Sequence, residues 1–79
     1  MMTSNQIDAA LAAVIRGRVA MAQIRQADLA VKVGMSQATL TRALAGTKSL
    51  SVSQLYIFAQ ALDMQVPDLW DEARSYMER

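Results

Sequence analysis

The sequence predicts an all-α fold, built as one compact domain of five helices over residues 1–79. Three observations carry this. Apolar residues recur at helical rather than alternating spacing throughout. The single proline and the three glycines stand where helix ends are expected. Polar residues suited to capping precede the apolar-periodic runs.

The first helix is expected to start after Thr3 and to run to about Gly17 or Met21. Thr3 and Gln6 have capping-box spacing, and Ile7, Leu11, Val14 and Ile15 form one apolar stripe. Gly17 is read as weakening the helix end, and Val19-Ala20-Met21-Ala22 as an unusually apolar loop. The second helix covers about Gln26 to Val33, and Gly34 stands where a left-handed residue closes a helix. The third covers about Gln37 to Ala45, with Ser36 as its N-cap and Gly46 ending it as Gly34 ends the second. After the polar loop Thr47-Lys48-Ser49, the fourth helix runs from about Val52 to Leu62 behind a capping box of Ser51 and Gln54, burying Leu55, Phe58, Ala59 and Leu62. The last runs from about Pro67 to Tyr76. Pro67 suits a first-turn position, and Asp68, Asp71 and Glu72 suit the positive end of the helix dipole.

Composition bounds the chemistry. With 79 residues, 53% of them hydrophobic but only 5% aromatic, the core must be filled by Leu, Val, Ile, Ala and Met. The absence of Cys and His removes disulfides, zinc fingers and a histidine general base. No carboxylate cluster has metal-ligand spacing and no Gly-rich phosphate loop occurs, so no metal, cofactor or enzymatic activity is expected. The six methionines read as core filling. No apolar run approaches the roughly 18 residues of a membrane span, and the N-terminus lacks the features of a signal peptide; a soluble, cytoplasmic protein is expected. The net charge is +1, unevenly spread. Residues 1–62 hold six basic residues (Arg16, Arg18, Arg25, Lys32, Arg42, Lys48) against Asp8 and Asp28, a balance of +4. Residues 63–79 hold Arg74 and Arg79 against five acids, a balance of −3. Such asymmetry gives a nearly neutral chain one positive face.

Residues 24–46 carry the most information. They form two short helices about a tight turn at Gly34, with Gln37, Thr41 and Arg42 on one side of the second and Leu40, Ala43 and Leu44 on the other. This is the layout of a helix-turn-helix, whose second helix enters the DNA major groove. Gln pairs bidentately with adenine, Arg with guanine, and Ala38 suits a thymine methyl. Lys48 and Ser36 suit phosphate contacts that set register.

The chain resembles the Cro/C1-type (XRE-type) helix-turn-helix repressors of phages and bacteria over roughly residues 7–70. The resemblance rests on Gln26-Ala27-Asp28-Leu29-Ala30, Val33-Gly34-Met35-Ser36, Thr39-Leu40, Gly46 and Ala59-Gln60-Ala61-Leu62. It implies a lambda-repressor-like fold with the helix-turn-helix at about 26–45. It also implies base reading by Gln37, Ala38, Thr41 and Arg42, and backbone contacts from Gln26, Ser36, Thr39, Thr47 and Lys48. Two departures stand out. Arg25 replaces the usual Thr or Ser N-cap of the second helix and either reaches a phosphate or leaves that helix less firmly started. Asp63-Met64 stands where the family often has Gly. Lys32 reads as a solvated side chain, while Arg16 and Arg18 either reach the DNA backbone or keep the first helix soluble. Leu69 is expected in the core. Trp70 and Tyr76 are read either as lids over it or as half of a dimer contact, with the enrichment of aromatics at interfaces favouring the second.

The function expected is a sequence-specific transcriptional regulator, a homodimeric repressor of a phage or mobile element. The alternative is an antitoxin or adaptor that keeps the fold and docks a protein partner through its last helix. The shortness of the chain beyond Trp70 favours the first.

Overall fold

A computed structural model describes residues 3–78; Arg79, counted in the C-terminal charge balance, lies outside them. The helices are α1 (Ser4–Ala22), α2 (Gln26–Val33), α3 (Gln37–Ala45), α4 (Val52–Ala61) and α5 (Val66–Met77), with no strand among the described residues.

The starts follow from local capping chemistry. Thr3 Oγ1 accepts from the Gln6 N–H at 3.2 Å, and the Thr3 N–H donates to Gln6 Oε1 at 2.7 Å. Ser51 and Gln54 repeat this reciprocal box at α4, at 3.1 and 2.9 Å. At α5 the Gln65 N–H donates to Asp68 Oδ2 at 3.1 Å, and Pro67 lies in the first turn, where its missing N–H leaves no bond unmade. Of the three acids assigned to the α5 dipole, only Asp68 is in that first turn.

α1 departs most from expectation. It passes straight through Gly17 and ends only at Ala22, so Val19–Ala22 is its last turn rather than a loop. One interior glycine costs a helix about 1 kcal/mol. That is outweighed here by the buried stripe Ala10, Leu11, Ala12, Val14 and Ile15. The stop comes from Gln23, left-handed at φ 55°, whose N–H reaches the Ala20 carbonyl, while the Ile24 N–H reaches that of Val19. Ile24 then packs against the core, the apolar contact that accompanies this type of helix end. A Cβ added at Gly17 meets nothing within 4 Å. Gly17→Ala is therefore expected to raise stability by about 0.5–1 kcal/mol, read as a higher urea midpoint at unchanged slope; a loss would mean that the helix is broken there. Smaller differences occur elsewhere. α4 ends at Ala61, because Leu62 caps it and Asp63 adopts φ 58° where the family often has Gly. α5 begins one residue before Pro67 and ends one after Tyr76.

α1 lies against α5 and α3, α2 against α4 and α3, and α4 against α5. The core between them is centred on Phe58, Ile15, Leu29, Leu40 and Leu69, all essentially inaccessible. Ile7, Leu44 and Leu62 border it half-buried. No buried side-chain nitrogen or oxygen among the described residues lacks a hydrogen bond. No helix there is long and apolar enough to cross a membrane.

Candidate nucleic-acid interface

α3 is divided lengthwise. Leu40 and Ala43 are buried, whereas Gln37, Ala38, Thr41 and Arg42 are exposed. At roughly 100° per residue the four exposed positions fall within one arc of about 140°, facing away from the domain. Gly34, at φ 69°, makes the turn that sets α3 across α2, and its N–H and that of Met35 close α2 on the Val31 and Ala30 carbonyls. Ser36 starts α3: its Oγ accepts from the Thr39 N–H at 3.1 Å and donates to Thr39 Oγ1 at 2.9 Å. The Thr39 hydroxyl hydrogen thus stays available to a phosphate at the N-terminus of α3, the end that favours anions.

α2 and α3 are joined by side chains as well as by the turn. Gln26 Nε2 donates to Thr41 Oγ1 at 2.9 Å, and Thr41 Oγ1 donates to the Gln37 carbonyl at 2.9 Å. A residue expected on phosphate is thereby held against one expected on bases.

The far end of α3 is held from α1. Gly46 is left-handed at φ 80° and lies so close to α1 that a Cβ there would stand 3.1 Å from the Ala9 Cα. Thr47 caps α3, its N–H and Oγ1 both donating to the Arg42 carbonyl, at 3.1 and 3.2 Å. Arg16 donates to the Leu44 carbonyl, placing a cation at the negative end of the helix dipole. Ser49 donates to Asp8 Oδ2 at 2.6 Å. Asp8 and Ser49 were not among the expected site residues, and Arg16 takes a protein carbonyl where a phosphate contact or plain solvation was expected. Arg18 is likewise engaged within the protein. It forks onto Glu72 of α5, with Nε at 3.2 Å from Oε1 and the second nitrogen on Oε2. Glu72 strengthens the hold of this guanidinium on its proton, by hydrogen bonding first and charge second.

By contrast, Arg25, Arg42 and Lys48 have no ion-pair partner among the described residues. Arg25 and Arg42 are exposed and Lys48 is half-buried. Arg25 is the N-cap residue of α2 and makes no side-chain cap bond. Arg25→Ser is expected to supply that bond and raise stability by about 1 kcal/mol. If Arg25 meets a phosphate, the slope of log K against log[salt] falls in magnitude by about 0.9; thermal unfolding and a salt titration of DNA binding read the two effects separately.

Trp70 and Tyr76 are 38% and 41% exposed. Six residues apart on α5, they flank the buried Leu69–Ala73 stripe on opposite sides. Tyr76 borders a groove with Val14, Gly17 and Met21, beside the Arg18–Glu72 pair.

A family profile described as helix-turn-helix matches residues 10–69. Among solved structures, the crystal structure of the clp gene regulator ClgR from Corynebacterium glutamicum aligns with a TM-score of 0.87 at 28% sequence identity, covering 91% of this chain and 77% of that one. No curated protein matches the sequence.

Proposed function

Since the chain belongs to the helix-turn-helix family, in its Cro/C1-type branch, and is a DNA-binding transcription regulator by that membership, we propose that it is a sequence-specific repressor of a phage or mobile element. One observation carries this reading. Gln37 and Arg42, both without side-chain partners among the described residues, stand exposed beside Ala38 and Thr41 on the face of α3 opposite Leu40 and Ala43. A helix offering amide, guanidinium and methyl groups on one outward face suits the donor, acceptor and methyl pattern of the major groove. Gln26, Ser36, Thr39, Thr47, Lys48 and Arg25 surround it at the two ends of the motif, where phosphates pass.

The protein acts as a homodimer on a two-fold operator, with half-sites about 34 Å apart, and α5, which exposes Trp70 and Tyr76, is the surface proposed for the dimer contact. It works in the bacterial cytoplasm, or in that of the host if phage-borne. Few cations are available, so its salt dependence is moderate.

The test is selection from a random duplex library with purified protein at about 150 mM salt, followed by sequencing of the bound pool. An enriched palindrome supports an operator-binding dimer, and a lone half-site supports a monomeric reader. Retention without enrichment overturns sequence-specific reading and leaves electrostatic binding alone; no retention favours a protein-interaction module.

A further inference from the structure

The Thr41 hydroxyl carries one hydrogen and lies 2.9 Å from two groups, the Gln37 carbonyl and Gln26 Nε2. The carbonyl is an acceptor only, so it takes that hydrogen. Gln26 is then the donor, and its amide orientation follows. The hydroxyl has no hydrogen left for thymine O4, for guanine O6 or for a purine N7. Yet Thr41 is exposed, on the outward arc between Gln37 and Arg42. With its oxygen bonded to its own helix and to α2, the methyl is the group of this exposed side chain that no hydrogen bond engages.

We infer that Thr41 selects its base pair through this methyl, as a reader of the 5-methyl group of a pyrimidine in the major groove, with Gln26 as the positioning residue that holds the oxygen inward. The inference rests on the reading that α3 enters the major groove. The ligand chemistry is a C5-methyl on a base edge, carried by thymine or by 5-methylcytosine. Gln26 Nε2 keeps a second hydrogen, and so holds Thr41 and reaches a phosphate at once.

The experiment uses the full chain and the site recovered from the random library. Each thymine is replaced in turn by deoxyuridine, which removes only the methyl. At one position per half-site the wild-type protein should lose about fourfold in affinity, the worth of one buried methyl, and cytosine placed there should bind better once 5-methylated. Thr41→Ser keeps the hydroxyl and lacks the methyl, so it should be indifferent to the same replacement. Thr41→Val keeps the methyl and should retain the preference for thymine over deoxyuridine. Gln26→Ala should blunt the preference at that position, which a merely structural loss, weakening all sequences equally, does not do. Thermal unfolding confirms that each variant is folded.

Equal affinity for thymine and deoxyuridine at every position overturns the inference. So does a Thr41→Ser variant that keeps the methyl preference at every position where the wild type shows one, any read by Ala38 included, or a Thr41→Val variant that loses the preference Thr41→Ser removes, which makes the hydroxyl the reader. In these cases the enriched site still stands and the DNA-reading function with it. If no site is enriched at all, that function fails and the inference falls with it.

Discussion

Gly46→Ala is expected to destabilise the domain by about 2–5 kcal/mol, whereas Gly34→Ala costs only about 1–2 kcal/mol. Both glycines close a helix in the left-handed region, at φ 80° and 69°, so both substitutions carry the strain of placing an L side chain there, about 1–2 kcal/mol. They differ in surroundings. A Cβ at Gly34 meets nothing within 4 Å, but at Gly46 it meets the Ala9 Cα at 3.1 Å, with the Ala9 nitrogen and Ala12 Cβ just beyond. Backbone cannot rotate aside as a long side chain does, and such overpacking adds about 1–3 kcal/mol. A domain of this size is stable by only about 4–12 kcal/mol, so Gly46→Ala removes a substantial part. Urea denaturation of the two variants beside the parent measures the difference. Equal losses would mean that the α3 end does not press on α1. Because Gly46 follows directly on α3, the same variant should also bind DNA less well at temperatures where it remains folded.

Arg42→Ala is expected to weaken binding to the preferred site by about 1–3 kcal/mol and to relax the preference at one base pair, leaving other positions unchanged. Its guanidinium has no ion-pair partner among the described residues, and it is exposed, so its removal should shift stability by no more than about 0.5 kcal/mol. Lys48→Ala provides the contrast. As the proposed phosphate contact, its removal is expected to weaken all sequences alike and to lower the salt slope by about 0.9. Repeating the library selection with both variants separates the two roles. An Arg42→Ala pool with the parent's motif would remove Arg42 from the base readers.

Much of this architecture is legible in the order of the amino acids, for reasons that can be stated residue by residue. A helix start is local chemistry: Thr3 with Gln6, Ser36 with Thr39, and Ser51 with Gln54 each act over three residues, within reach of a linear reading. The buried faces of α3 and α4 announce themselves by period, as at Leu40 and Ala43 or Leu55, Phe58 and Ala59. The missing cap at Arg25 is visible too, since arginine offers no oxygen to a helical N–H. Gly17 misleads because glycine serves both at helix ends and, at modest cost, within helices. What separates the two is the burial of the residues around it, which a single letter does not carry.

The five helices, the turn at Gly34 and the outward set Gln37, Ala38, Thr41 and Arg42 are thus written in the linear chain, because caps and apolar periods act between neighbours. How α3 is held is a matter of tertiary packing. Gln26 meets Thr41 across 15 residues, Arg16 meets the Leu44 carbonyl across 28, Asp8 meets Ser49 across 41 and Arg18 meets Glu72 across 54. These are single polar contacts among accessible side chains, with no period to announce them, and they come into being once the core around Phe58 and Leu40 has brought α1, α2 and α3 together. That same packing makes a side chain at position 46 costlier than one at position 34, where a Cβ meets nothing within 4 Å.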